Sequence, residues 1–203
     1  MTRDSYIAAT APGAPGRPLV FAFHGTGGNE AQFFDLAGQL VPGAEIVAPR
    51  GDVSEHGAAR FFRRLAEGRY DMADLALRTE KMAGFIAAHK AAHPDRAVFG
   101  FGYSNGANIL ASVVMAHPDL FDRAALLHPL LPWEPAPVPA LTGKRVLITA
   151  GRRDPICPWP LTESLLTWFS RQGADVEASI HDGGHELRQP EVDALERFFA
   201  AAP

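Results

Sequence analysis

The chain has 203 residues, room for one domain with one sizeable core, and its 47% apolar and 21% charged residues are ordinary for a globular protein in water. A formal net charge of −4 argues against a broad basic surface and so against nucleic acid as a partner. The lone cysteine, Cys157, excludes an internal disulfide and fits a reducing, cytoplasmic setting; Met1 to Arg17 holds no continuous apolar run of the signal-peptide kind, and no segment is apolar enough to span a membrane.

In chain order, Tyr6 to Ala9 is expected to form a short edge strand and Ala11 to Pro18 a Pro/Gly turn. Leu19 to His24 is a short apolar run halted by Gly25, the pattern of a buried strand. Asn29 to Leu40 is expected to be a helix capped by Asn29, with Phe33, Leu36 and Leu40 on one face. Glu45 to Ala48 is a strand stopped by Pro49. Tyr70 to His93 is a long helix with Leu75, Leu77, Met82, Phe85 and Ile86 near helical spacing.

Arg96 to Phe101 is a strand, Asn105 to Ala116 an apolar helix, and Asp122 to Leu127 a strand. Five prolines between Pro129 and Pro139 require an irregular loop. Lys144 to Ala150 is a strand, Leu161 to Arg171 a helix, Val176 to His181 a strand, and Pro190 to Ala201 a helix opened by its proline. Strands alternating with helices predict an α/β fold, a mostly parallel sheet covered on both faces, with ligands at the carboxyl ends of the strands.

Gly102-Tyr103-Ser104-Asn105-Gly106 matches G-x-S-x-G between a strand and a helix. The serine there sits on a sharp, strained turn that exposes its hydroxyl, and small flanking residues avoid collision. The plain alternative, a glycine-rich turn, does not require that flanking context. A serine hydroxyl needs a base. Of eight histidines, His89, His93 and His117 lie near helix ends, as surface or cap residues do. His181 ends a strand, His128 follows one, His56 lies in a polar loop, and His24 is placed to brace the turn behind it. His185, after Gly183-Gly184 and between the last strand and the last helix, satisfies the chain order serine, acid, histidine.

The acid belongs between these two, past a strand end. Asp154 meets that condition; Asp182 and Glu134 are rivals, and a surface Asp154 paired with Arg152 or Arg153 is the plain alternative. His24-Gly25-Thr26-Gly27-Gly28 follows the first buried strand and is suited to offer backbone N–H groups to an oxyanion, Thr26 with Asn105 being the expected pair. A phosphate-binding loop would end in G-K-[ST], which is absent.

HGTGG, GYSNGAN, AGRRDPICP and GGHEL, taken together, resemble the phospholipase/carboxylesterase branch of the α/β-hydrolases, related to dienelactone hydrolases and acyl-protein thioesterases. Pro49-Arg50-Gly51 followed by Arg60-Phe61-Phe62-Arg63-Arg64 resembles small bacterial carboxylesterases in particular. The resemblance runs from His24 past His185. It implies one α/β-hydrolase domain over 1–203, Ser104, Asp154 and His185 as catalytic triad, and Thr26 and Asn105 at the oxyanion positions. A homodimer is common among similar proteins. Dienelactone hydrolases use a cysteine where this chain has Ser104, so lactone specificity is not implied.

The connection Pro129 to Gly143 is too short to fold as a lid, which predicts an open site for soluble esters of small or medium size. Phe61, Phe62, Leu131, Trp133, Ile156 and Trp159 are candidate lining residues, each with a core or edge alternative. Arg60 and Arg63 are placed to meet an anionic substrate, although solvated arginines are commoner. Cys157 is expected to be a small buried filler. The expected activity is a serine carboxylesterase working through an acyl-serine, with a small-molecule ester as its partner. A thioesterase or lysophospholipase-type acyl hydrolase, a lyase or perhydrolase using the same triad, and a binding module without turnover are the alternatives. No metal or organic cofactor is expected, because the cysteine and histidine spacings carry no zinc pattern.

Overall fold

A computed structural model describes residues 2–200. The elements run β1 (Ala8–Ala11), β2 (Leu19–Phe23), α1 (Phe34–Leu40), β3 (Glu45–Pro49), β4 (Val53–Glu55), β5 (Ala58–Arg60), β6 (Arg64–Ala66), β7 (Arg69–Tyr70), α2 (Met72–Ala92), β8 (Val98–Tyr103), α3 (Asn105–Ala116), β9 (Arg123–Leu127), β10 (Arg145–Gly151), α4 (Trp159–Arg171), β11 (Asp175–His181) and α5 (Gln189–Ala200). Seven strands form one sheet in the order β1-β3-β2-β8-β9-β10-β11. β1 pairs antiparallel with β3 at one edge, and every other pairing in that sheet is parallel.

The apolar runs explain this arrangement. A strand buried on both faces has no polar side to alternate, and all five residues of β2 are buried. Leu19, Phe21 and Phe23 face one core, which also takes residues of α2, α3 and α4. Val20 and Ala22 face the other, with residues of α1 and α5. Each fully buried Leu or Phe contributes about 2 kcal/mol relative to exposure. Helices therefore cover both faces, as expected, and no lid domain is inserted between β9 and β10, where a single 3-10 turn (Pro139–Leu141) interrupts the loop.

Several local expectations are corrected. Helix α1 begins at Phe34, not Asn29. The Asn29 side chain instead accepts from Ala31 N at 2.9 Å and Gln32 accepts from Gly25 N at 3.0 Å, so local side-chain bonds hold this stretch in turns. Helix α2 begins at Met72 because Asp71 caps it, its carboxylate accepting from Asp74 N at 3.0 Å; Tyr70 belongs to β7. Leu77 is 64% exposed and lies off the buried stripe of α2, whereas His89 is buried against Phe85 and Phe21 and is no surface residue. Residues 53–70 form two small hairpins, β4–β5 and β6–β7, that two- and three-residue strands without sustained alternation do not announce. Helix α5 reaches Ala200, and the expected last residue, Ala201, lies outside the described residues.

Candidate active site

Five parallel strands, β2, β8, β9, β10 and β11, deliver their carboxyl ends to one edge of the sheet, and the chemistry-bearing side chains stand just beyond them. Ser104 links β8 to α3 with φ 53° and ψ −116°, a conformation that side-chain-bearing residues seldom adopt. The turn is pinned by Ser104 N donating to Leu127 O at 2.8 Å and Asn108 N donating to Ser104 O at 3.0 Å. Its glycines are sterically required. A Cβ on Gly106 would lie 2.4 Å from the Phe23 carbonyl oxygen, and one on Gly102 would lie 2.5 Å from the Gly106 carbonyl.

The three side chains expected to act together do meet. His185 Nε2 lies 3.0 Å from Ser104 Oγ, and His185 Nδ1 lies 2.7 Å from Asp154 Oδ2. The carboxylate accepts a hydrogen bond from Nδ1–H, which leaves Nε2 to accept from the serine hydroxyl. Asp154 Oδ1 accepts from Ile156 N and Cys157 N at 2.8 and 2.9 Å. Burial opposes the charge on Asp154. Hydrogen bonds from His128, His185, Cys157 N and Ile156 N outweigh it and hold the carboxyl well below its ordinary range. Asp154 is buried and pairs with neither neighbouring arginine, while the rivals Asp182 and Glu134 are exposed.

Thr26 and Asn105 flank Ser104 in one cleft of about 370 Å³. Thr26 Oγ1 accepts from Arg60 Nη1 at 2.6 Å and Asn105 Oδ1 accepts from Phe61 N at 2.7 Å, so the segment 60–61 buttresses both. His24 braces the glycine-rich turn as expected, donating from Nδ1 to Gly25 O at 2.7 Å and accepting from Gly51 N at 2.9 Å.

The lining residues divide. Ile156 lines the cleft beside Ser104. Phe61 and Phe62 do not: both are fully buried, Phe61 against Phe23 and His24 and Phe62 against Tyr70, because the core takes aromatic surface that a wet cleft would leave hydrated. Leu131 and Trp133 line a separate cavity of about 650 Å³ between the proline-rich loop and α4. Trp159 stands under the Arg152 guanidinium, 4.6 Å from its ring centre, outside the lining of the Ser104 cleft. Arg60 lines that cleft but is buried rather than solvated, and Arg63 is turned outward toward Asp71 and Asp74. Cys157 is buried, its thiol donating to His128 O at 3.2 Å and pushed up in pKa by burial.

One residue escaped the sequence. His128 is fully buried, and its Nδ1 lies 2.9 Å from the Asp154 oxygen that His185 uses. Its only sequence signal is a position just past β9, which Ser104 and Asp154 share past their own strands. Among the described residues two sets of side chains cluster with ligand atoms within 4.8 Å, His128 with His181 and Glu191, and His128 with Asp154 and His185. In both sets the members are already one another's partners.

The family model described as serine aminopeptidase, S33 (Hydrolase_4) matches residues 14–202. The chain is 37% identical over 186 residues to the putative hydrolase MhqD of Bacillus subtilis (strain 168), covering 91% of this chain and 93% of that protein. It superposes on protein Atu2452 of unknown function from Agrobacterium tumefaciens with TM-score 0.92 and 53% identity, over 98% of each chain. A carboxylesterase from Bacillus cereus superposes with TM-score 0.90 and 34% identity, over 96% of this chain and 93% of that one. The chain is a hydrolase of the α/β-hydrolase fold and belongs to the Hydrolase_4 family, serine aminopeptidase S33.

Proposed function

We propose that the protein is a serine carboxylesterase acting on small to medium soluble carboxylic esters. The observation that carries this is the continuous relay from Ser104 Oγ to His185 Nε2 at 3.0 Å and from His185 Nδ1 to Asp154 Oδ2 at 2.7 Å. In this scheme His185 takes the hydroxyl proton as Ser104 attacks the ester carbonyl. The backbone N–H groups of Thr26 and Asn105 stabilise the oxyanion, and the positive end of α3 adds to their field. His185 returns the proton to the leaving alcohol, and water, deprotonated by the same ring, releases the acid from the acyl-serine. Asp154 holds the ring in the required tautomer.

The Ser104 cleft of about 370 Å³ supports substrates of modest size, and the absence of a lid between β9 and β10 among the described residues supports soluble ones. A resemblance to a Bacillus cereus carboxylesterase at 34% identity supports the ester over other acyl compounds. The proposal includes one α/β-hydrolase domain over 1–203, no cofactor and no metal, a homodimer, and a cytoplasmic setting, the last suited to a single unpaired, buried Cys157. No helix is long and apolar enough to cross a membrane among the described residues.

The test is labelling with a fluorophosphonate probe and hydrolysis of a short p-nitrophenyl ester by wild type and Ser104→Ala. Both signals present in wild type and lost in the variant are expected. A folded wild type that neither labels nor turns over the ester overturns the proposal and favours a binding module.

A further inference from the structure

We propose that His128 is an imidazolium at neutral pH, held between Asp154 and Glu191, that acts as a positioning residue for the proposed triad by fixing the Asp154 carboxylate that orients His185. This deepens the esterase proposal and rests on it.

The groups facing the His128 ring come from every element around it: Asp154 and Cys157 from the segment after β10, Glu191 from α5, His181 from the end of β11, His185 from the segment after it, and Tyr103 from β8. Each carboxylate accepts hydrogen bonds on both of its oxygens. Asp154 takes Ile156 N and Cys157 N on one oxygen and the Nδ1 groups of His185 and His128 on the other. Glu191 takes Thr149 Oγ1 at 2.5 Å and lies 3.0 Å from His128 Nε2 through Oε1. Its Oε2 takes Arg188 N at 2.8 Å and lies 3.1 Å from His181 Nε2. His181 Nδ1 accepts from Gly183 N, so its own proton sits on the Nε2 that faces Glu191.

A carboxylate ringed by donors is an ionised acceptor. The His128 ring thus has an ionised carboxylate oxygen at 2.9 Å from one nitrogen and at 3.0 Å from the other. A neutral imidazole carries one bare lone pair, and in either tautomer that lone pair would face an anion in a dry interior. Only the doubly protonated ring suits both sides. Burial opposes its charge, but the hydrogen bond to Asp154 and the facing Glu191 carboxylate prevail and push its pKa up to about 9. The ring is held there by an uncommon backbone, φ 49°, with His128 N donating to Thr149 O at 2.9 Å.

The charges then balance at the right moment. At rest the buried set of Asp154, Glu191 and His128 carries one net negative charge. When His185 takes the Ser104 proton, the set together with His185 becomes neutral. His128 shares Oδ2 with His185, so its N–H fixes the carboxylate oxygen on which the His185 ring is oriented.

The experiment combines two measurements on the full chain. Imidazole nitrogen NMR, with His128 assigned through its own backbone, reads the protonation of both ring nitrogens at pH 8 in wild type. The kcat and KM for p-nitrophenyl acetate are measured separately for wild type and His128→Gln. Both nitrogens protonated, and a kcat lowered by about tenfold or more in the variant with KM little changed, are the expected results. A singly protonated His128 at pH 8, or an unchanged kcat in a folded variant, overturns the inference. If the variant does not fold, the wild-type spectrum decides alone. Fluorophosphonate labelling of wild type separates the two proposals: an unlabelled serine sinks the esterase, whereas a labelled serine beside a neutral His128 sinks only this one.

Discussion

Arg60, almost wholly buried, donates from Nη1 to the hydroxyl of Thr26 at 2.6 Å. Its Nε donates to Phe62 O at 3.2 Å, and Glu55 lies 3.7 Å away as its nearest counter-charge. A long cation thereby ties the glycine-rich turn after β2 to the segment before β6. In Thr26→Val the methyl replaces the acceptor and leaves a buried guanidinium N–H unpaired, which is expected to cost about 1–3 kcal/mol of stability in a denaturant melt. Arg60→Met frees the turn instead, and a fall in kcat of about tenfold or more with a smaller change in KM is expected, because the proposed oxyanion donor at Thr26 moves off its position. Equal loss in KM alone would show that Arg60 serves substrate binding only.

Asp154→Asn keeps the shape but offers His185 an amide that can hold the wrong tautomer. A drop in kcat on the order of 10⁴-fold is expected, as is usual when this acid is amidated in a serine triad. Ser104→Ala is expected to fall at least as far while remaining folded, since it relaxes no packing. Steady-state kinetics with a p-nitrophenyl ester, beside circular dichroism for the fold, measures both.

The buried charge network sets the pH range of stability. Asp154 and Glu191 have pKa values lowered by their donors from ordinary values of 3.8 and 4.5, although burial opposes the shift. Their contribution is present above those ordinary values and is lost as pH falls through the lower folded ones. His128 is raised from 6.5 to about 9, so its contribution is full below pH 6.5 and is lost as pH rises through about 9. The melting temperature is expected to be highest between about pH 5 and 6.5 and to decline on either side. In His128→Gln the alkaline decline between pH 6.5 and 9 is expected to shrink. Calorimetric melts across that range check the sign.

Phe61 and Ile156 are expected to separate stability from binding. Phe61 is fully buried against Phe23 and His24, so Phe61→Ala leaves a cavity and is expected to cost about 3–5 kcal/mol. Ile156 is 37% exposed on the Ser104 cleft, and Ile156→Ala is expected to change KM for longer acyl chains with stability altered by about 0.5 kcal/mol or less. A chemical melt and an acyl-length series distinguish the two.

Local pattern by itself determined the order of the longer strands and the helices from Leu19 onward, though not the four short strands of residues 53–70, along with the elbow at Ser104, the turn at His24–Gly28, and the placement of Asp154 and His185 past strand ends. Each of these rests on neighbouring residues, a strand's apolar run or a glycine where no side chain fits, and such constraints act over a few positions of the chain. What packs against what was decided by the tertiary structure. His128, Asp154 and Glu191 are 26 and 37 residues apart, and only the parallel stacking of β9, β10 and β11 with α5 against them closes the network. Phe61 and Phe62 look alike in sequence as cleft or core residues. The sheet edge and the two hairpins of residues 53–70 turned them inward, because hydrophobic burial rewards any site that removes aromatic surface from water, and the sequence pattern does not say which site that is.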